Sequence, residues 1–214
     1  MAQAARRSGR SLGDVVLVGV VKQVAPEWVR EAVALGLEDL GENRVQEAER
    51  KVSEVGRDAV RWHMIGHLQR NKAGRAADLF DRVHSVDSLA VGEALARRAA
   101  GLGRRLPVLV EVNVSGEATK FGVDPSRLPA LLEAVAGLDG LALDGLMTVG
   151  APVERAEHAR PGFARLRELR DEAERKLGLS LPELSMGMSG DFEVAVEEGA
   201  TLVRVGSVLF GARA

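Results

Sequence analysis

The chain has 214 residues, of which 46% are hydrophobic and 28% charged, and its formal net charge is -2. This composition suits one globular domain and gives no electrostatic reason to expect a nucleic acid as a partner. The absence of cysteine excludes disulfides, thiolate metal sites and cysteine nucleophiles, and the absence of tyrosine excludes a phenol as acid or base. No apolar run approaches the roughly 20 residues of a membrane span. The basic stretch 1–14 lacks an apolar signal core, so we expect a cytoplasmic protein.

Short apolar runs alternate with helix patterns along the whole chain. The first run, 15–22, reads VVLVGVVK, and the helix pattern after it begins at Pro26 and ends at Gly36. Further strands are predicted at 37–42, 61–66, 80–86, 106–113, within 141–150, 183–187 and 201–206. Further helices are predicted at 43–55, 68–79, 87–100, 124–137, 158–177 and 191–198.

The alternation of strands and helices predicts the fold class. Nearly continuous apolar strands separated by helices are typical of a parallel sheet in an α/β protein. About eight such units in a chain of this length favour a closed (β/α)8 TIM barrel, with residues 1–214 forming a single domain. A doubly wound open sheet is the alternative, because boundaries read from a sequence shift by a few residues.

The first predicted strand ends in a lysine, Lys22. In a barrel the C-terminal ends of the strands form the working face. A partly dehydrated amine at that face would have a lowered pKa and could act as a Schiff-base nucleophile. The alternative is a lysine that leaves the strand for solvent.

The last two strands carry the other candidates. Ser189, Gly206 and Ser207 follow strands seven and eight, where barrels commonly bind phosphate, although a helix N-cap at Ser189 and a turn at Gly206 would look the same. Arg204 lies between two valines, and a buried guanidinium needs a fixed partner. That partner is either a strand carboxylate, Glu42 or Glu111, or a ligand at the barrel mouth.

Two other patterns are weaker evidence for a functional site. His63 and His67 are four residues apart, but Gly66 and the strand end between them interrupt any helix, so we expect no metal site there. Asn43 with Gln46 resembles a helix cap, a role that is compatible with ligand contact. The glycine-rich segments match neither a P-loop nor a dinucleotide fingerprint.

Seven segments in chain order together resemble the pyridoxal 5'-phosphate (PLP) homeostasis proteins, the YggS-like or proline-synthetase co-transcribed family. They are VVKQVAP, DLGENRVQEAERK, WHMIGHLQRNK, HSVDS, VEVNVSGEATKFG, GLMTVGAP and SMGMSGDFEVAVEEGATLVRVGSVLFGAR. The resemblance covers most of the chain and implies an alanine-racemase-type barrel without the second, β-rich domain of the racemase. Val21, Gln23, Val24 and Arg44 depart from residues common in that family.

The resemblance also implies residue roles. Lys22 would form the internal aldimine with PLP, and Arg204 would lie near the pyridine nitrogen. The phosphate would be held by Ser189, Gly206 and Ser207, partly through their backbone amides. The ring would be contacted by Asn43 and Met186. No catalytic residue and no metal ligand is expected.

The implied function is the binding of PLP on Lys22 in intracellular PLP homeostasis, without robust catalysis. An arginine at the pyridine nitrogen cannot accept a proton and weakens carbanion chemistry, and the chain has no tyrosine to act as a second base. The alternatives are a weak PLP-dependent amino-acid racemase or a Schiff-base lyase acting on a phosphorylated substrate. The expected partners are PLP and the PLP-dependent apo-enzymes that would accept it, and we expect a monomer that binds neither nucleic acid nor membrane.

Overall fold

The computed structural model describes residues 1–117, 119–150 and 153–211, and in it the chain forms a closed parallel barrel surrounded by helices. The strands are β1 (Val16–Val20), β2 (Asp39–Glu42), β3 (Arg61–Met64), β4 (Arg82–Val86), β5 (Leu106–Glu111), β6 (Leu141–Met147), β7 (Glu183–Ser185) and β8 (Leu202–Val205). They pair in chain order, and β8 closes the barrel against β1. The predicted (β/α)8 barrel is confirmed, and the open-sheet alternative is wrong.

Helices fill the connections between strands. They are α1 (Ala2–Arg7), α2 (Pro26–Ala34), α3 (Val45–Val55), α4 (Arg70–Leu79), α5 (Leu89–Gly101), α6 (Leu128–Ala136), α7 (Arg160–Leu177), α8 (Phe192–Glu197) and α9 (Ser207–Phe210). The sequence did not predict α1, whose Arg7 forms ion pairs with Glu193 and Glu197 at 2.8 and 2.6 Å. In the described part of the chain, no helix is both long enough and apolar enough to cross a membrane.

Local chemistry explains the boundaries of the first βα unit. Pro26 occupies the first turn of α2, where its missing N–H leaves no hydrogen bond unmade, and Glu27 complements the positive end of the helix dipole. The chain leaves α2 through Gly36, whose φ of +98° is accessible to glycine and strained for other residues. The predicted start and end of this helix are therefore confirmed.

The buried side chains form two layers. Between the sheet and the helices lies the large aliphatic core, which includes Trp62, Phe80 and Phe163. Inside the barrel a smaller cluster contains Val18, Leu109, Met147 and Leu202, all fully buried.

The register of β1 against β8 determines the position of the candidate residues. Val18 pairs with Arg204 and Gly19 pairs with Val205. Gly206 therefore follows β8 at the same edge where β1 ends, two residues before Lys22. Residues that are more than 180 positions apart in sequence are brought to one end of the barrel.

Candidate functional site

A cavity of about 280 Å³ opens at the C-terminal end of the barrel. Its described lining consists of Val20, Lys22, Asn43, Ile65, Val149, Met188, Ser189, Gly190, Arg204, Gly206 and Ser207. Six of the seven predicted site residues are among them, and Met186 is the exception. This described lining contains two cationic side chains and no carboxylate, so the cavity favours an anionic ligand.

Lys22 lies half-buried in the turn between β1 and α2. The carbonyl just before it, that of Val21, accepts hydrogen bonds from the N–H of Val24 at 3.0 Å and from the buried Nζ of Lys51. Gln23, just after it, has a φ of +60°, a left-handed conformation that is uncommon outside glycine. The turn that carries Lys22 is thus fixed by hydrogen bonds on one side and locally strained on the other, a combination found at functional turns.

A buried ion pair contacts the turn that carries Lys22. Lys51 on α3 and Glu42 on β2 are both essentially inaccessible, and Nζ lies 2.5 Å from Oε1. Burial raises the pKa of Glu42, although the neighbouring ammonium opposes the rise. Glu42 also accepts the N–H of Asn43 at 3.2 Å. The pair therefore links the end of β1, which carries Lys22, to the end of β2, which carries Asn43.

Asn43 lines the cavity, but it does not cap the following helix as its spacing from Gln46 predicted. The residue at the N-cap of α3 is Arg44, and no side chain caps that helix. Gly66 packs directly on the backbone of Asn43, because a Cβ atom at position 66 would lie 2.4 Å from the Asn43 carbonyl oxygen. The loops after β2 and β3 can approach this closely only with glycine at that position.

Hydrogen-bond donors converge where the loops after β7 and β8 meet. Ser189 Oγ accepts the N–H of Gly206 at 3.1 Å, which leaves its hydroxyl hydrogen available to a ligand. The N–H groups of Ser207 and Val208, at the start of α9, have no acceptor among the described residues. The predicted N-cap role of Ser189 is wrong, because Asp191 precedes α8 and accepts the N–H of Met188 at 2.6 Å.

Arg204 is 4% exposed and contributes a fixed guanidinium to the cavity. One terminal nitrogen donates to Ser185 Oγ at 2.6 Å and the other to the Thr148 carbonyl at 2.8 Å. The carboxylate partners that the sequence suggested, Glu42 and Glu111, form no ion pair with it. Burial lowers the pKa of Arg204 to about 10, with Glu111 opposing the shift, so the side chain stays cationic at neutral pH. Because a guanidinium has five N–H groups, donors remain for a ligand.

The methionine that lines the cavity is Met188 and not Met186. Met186 is fully buried in the core between the sheet and the helices. Alternation separates Ser185, inside the barrel, from its neighbour Met186, in the outer core. The chain then turns at Gly187, whose φ is +92°, and this turn brings Met188 to the cavity. The prediction that Met186 lines a ring pocket came from the resemblance, and the structure does not bring that side chain to the cavity.

Two buried charged residues were not predicted as part of the site. Lys51 falls on the apolar stripe formed by Val45 and Ala48, and a lysine on such a stripe was the available signal. Glu111 lies at the end of β5, is 5% exposed, and its Oε2 has no hydrogen-bond partner among the described residues. Burial and the nearby charge of Asp87 raise the pKa of Glu111 to about 7, against the attraction of Arg204.

The two histidines considered for a metal pair lie in different environments. His63 is inside the barrel, where its ring contacts Asp39 and His84. His67 is at the rim, with Nδ1 3.2 Å from Asp87 and its ring stacked on Phe121 at 3.8 Å. No group of three or more metal-ligating side chains occurs in the described ranges.

Comparison with known proteins gives a consistent result. The family model described as the alanine racemase N-terminal domain matches residues 2–214. A pyridoxal phosphate homeostasis protein of Pseudomonas aeruginosa is 48% identical over 99% of this chain and 90% of its own length. One from Aquifex aeolicus is 44% identical over 99% of this chain and 92% of its own length.

A solved structure agrees with the sequence matches. PipY of Synechococcus elongatus PCC7942, determined with PLP bound, superposes with a TM-score of 0.88 at 40% identity and covers 98% of each chain. Sequence identity of 40% or more over whole chains indicates a closer relationship than a shared barrel fold alone. The chain therefore belongs to the alanine racemase N-terminal domain family and, within it, to the pyridoxal phosphate homeostasis proteins.

Proposed function

We propose that this protein binds PLP in the barrel-end cavity, covalently through a Schiff base on Lys22, and holds it for intracellular PLP homeostasis without catalysing a reaction of its own. The observation that carries the proposal is the convergence on one small cavity of an amine, a guanidinium and a cluster of hydrogen-bond donors. These three features correspond to the aldehyde, the pyridine nitrogen and the phosphate of PLP. The relatives whose names and structures concern PLP support the same assignment.

The donor set at the junction of the loops after β7 and β8 suits a phosphate. Two hydroxyls, of Ser189 and Ser207, and the N–H groups at the start of α9 are available to an acceptor, and no described carboxylate lines the cavity to repel a dianion. Backbone donors and small side chains permit the close approach that phosphate needs. Ser189, Gly206 and Ser207 are thus proposed to hold the phosphate.

Arg204 determines what chemistry the cofactor could support. PLP supplies an electron sink, and that sink is strongest when an acidic partner keeps the pyridine nitrogen protonated. A guanidinium only donates, so Arg204 would favour an unprotonated nitrogen. Since the chain has no tyrosine, a two-base racemisation of the tyrosine–lysine type lacks one of its bases. Arg204 therefore supports a holding function over a weak PLP-dependent racemase.

Mass spectrometry after borohydride reduction tests the proposal directly. We expect a stable PLP adduct on the peptide that contains Lys22, and we expect Lys22→Ala to lose both this adduct and the visible absorbance band. Lys72→Ala is the matched control, because Lys72 lies at the rim outside this cavity and is expected to keep both signals. Purified protein that takes up no PLP, or an adduct confined to another lysine, would refute the assignment.

The proposal extends to partners and location. We infer that the recipients are PLP-dependent apo-enzymes, that the protein acts as a monomer, and that it resides in the cytoplasm. Transfer is measurable as activity regained by an apo-enzyme mixed with loaded protein in the presence of a trap for free PLP. Activity no higher than that obtained with free PLP under the same trap would argue against direct delivery.

A further inference from the structure

We propose that four buried residues form one directed hydrogen-bond chain through the barrel and act as positioning residues for Arg204. In order from the cavity they are Ser185, His84, His63 and Asp39. The part of this inference that concerns ligand affinity rests on the proposed function, whereas the direction of the chain concerns the free protein alone.

The distances form an unbroken series. Arg204 donates to Ser185 Oγ at 2.6 Å, and the same Oγ lies 2.8 Å from Nδ1 of His84. Nε2 of His84 lies 2.9 Å from Nδ1 of His63, and Nε2 of His63 lies 2.9 Å from Oδ1 of Asp39. The chain thus crosses the barrel interior from the cavity to β2, with one contact between each pair of neighbours.

The two ends of the series fix the direction of the terminal hydrogen bonds. At the cavity end the guanidinium of Arg204 can only donate, so Ser185 Oγ accepts there. At the other end, burial would raise the pKa of Asp39, but hydrogen bonds from His63 and Arg61 outweigh it and hold the pKa at about 2. The ionised carboxylate can only accept, so the Nε2 of His63 carries a hydrogen.

In the proposed chain both rings are neutral, and this fixes the remaining hydrogens. With its hydrogen on Nε2, neutral His63 accepts at Nδ1, which requires a hydrogen on Nε2 of His84. Neutral His84 then accepts at Nδ1, which requires the hydroxyl of Ser185 to donate to it. Each group in the series therefore has a single assignment, and every donor points from Arg204 towards Asp39.

Because these groups are buried, each one depends on the hydrogen-bond partner that it has in the series. His84 and Ser185 are fully buried, and His63, Asp39 and Arg204 are at most 4% exposed, so none of these groups can exchange its partner for bulk water. An added proton would reverse the hydrogens between His63 and Ser185 and would place a further cation near Arg204 and Arg82. Burial lowers the pKa of His84 well below its usual range, and the charges of Arg204 and Arg82 add to that shift.

The hydrogen-bond chain affects how the guanidinium of Arg204 is held in the cavity. Ser185 is the only side chain among the described residues that accepts a hydrogen bond from the Arg204 guanidinium, and the other acceptor is the Thr148 carbonyl. A Ser185 hydroxyl that already donates to His84 must present its lone pair to Arg204. Removal of His84 frees that hydroxyl to rotate, and removal of Ser185 removes the acceptor, so both changes loosen the same guanidinium.

NMR of histidine side-chain nitrogens in the ligand-free protein tests the direction. We expect His63 and His84 to be neutral Nε2–H tautomers at pH 7, with the exposed His158 as an internal reference in the same spectra. A protonated His63 or His84, or a hydrogen on Nδ1 of either ring, would overturn the proposal. This readout needs no PLP, so it stands even if the proposed function fails.

A double-mutant cycle tests the positioning role in the loaded protein. Because each change removes about one buried hydrogen bond, we expect Ser185→Ala and His84→Gln each to weaken PLP binding about tenfold. We expect the double variant to bind PLP no more weakly than either single variant, because both substitutions interrupt the same hydrogen-bond chain. Ser180→Ala and His158→Gln, at exposed positions, serve as controls with unchanged affinity.

Two results of the cycle would overturn the positioning role. One is wild-type affinity in Ser185→Ala, and the other is a roughly hundredfold loss in the double variant, which would mean that the two residues act independently. If His84→Gln does not fold, the NMR assignment and Ser185→Ala alone still decide the question. A wild-type protein that takes up no PLP would refute the proposed function and leave the direction of the chain to the NMR result.

Discussion

Glu111→Gln is expected to stabilise the protein above neutral pH, because it removes a buried acid with an unpartnered oxygen. Burial raises the pKa of Glu111 to about 7 in the folded chain, against an ordinary value of 4.5. Each unit of difference corresponds to about 1.4 kcal/mol. Ionised Glu111 thus costs roughly 3 kcal/mol of folding free energy above pH 7.

The sign follows from proton linkage. As the pH falls from about 7 towards 4.5, the folded state takes up a proton that the unfolded state does not yet bind, so stability rises over that window. Glutamine imitates the neutral acid at every pH and removes this slope. We therefore expect the variant to gain up to about 3 kcal/mol at pH 8 and almost nothing near pH 4.5.

Urea unfolding followed by circular dichroism at several pH values measures the effect. Glu133→Gln, at an exposed position on α6, is the control for loss of a surface carboxylate and is expected to follow the wild type. A Glu111→Gln protein that is less stable than the wild type at pH 8, or that keeps the wild-type pH slope, would show that the ionised carboxylate is stabilised in the fold. The attraction of Arg204 for the ionised carboxylate would then outweigh the cost of its burial.

Two further predictions concern the loops that carry the site. Lys51→Met leaves Glu42 as a buried, unpaired carboxylate and is expected to cost about 3–5 kcal/mol, most of which Glu42→Leu should restore in the double variant. Urea unfolding with the exposed Lys176→Met as control checks this, and a loss below about 1 kcal/mol would contradict it. Gly66→Ala places a Cβ 2.4 Å from the Asn43 carbonyl and is expected to cost about 1–3 kcal/mol and weaken PLP binding. Gly74→Ala, in the open interior of α4, is its control and is expected to gain up to about 1 kcal/mol; equal stability of the two variants would refute the argument.

Hydrophobic periodicity predicted the architecture well, because a parallel barrel repeats the same pattern of one strand and one helix along the sequence. The run 15–22 and the helix from Pro26 to Gly36 are present with their predicted limits shifted by at most two residues. The same argument placed Lys22, Ser189 and Gly206 at one end of the barrel, where the structure has them. It did not predict α1, because a six-residue helix with two buried alanines carries too short a pattern.

Contacts inside the barrel were much less predictable. Whether Arg204 meets Glu111 or Ser185 depends on the stagger of strands that are far apart in sequence, and composition does not encode that stagger. The choice between Met186 and Met188 depended on a turn beyond the end of β7, at Gly187 with its φ of +92°, which strand periodicity does not predict. Predictions from a sequence therefore located the working face, and the structure was needed to assign the partners on it.

The electrostatics of the cavity connect the proposed binding of PLP to the proposed lack of a reaction. Lys22 and Arg204 line a cavity of about 280 Å³ whose described lining contains no carboxylate, so both charged side chains of that lining are cationic. The phosphate of PLP would complement these cations, and the proposed Schiff base at Lys22 would keep the ligand in place. The same lack of a carboxylate would leave the pyridine nitrogen without an acidic partner, which would weaken carbanion stabilisation. In the proposed function, one arrangement of charges would thus both retain PLP and disfavour catalysis, and the proposed hydrogen-bond chain through Ser185 and His84 would maintain that arrangement at Arg204.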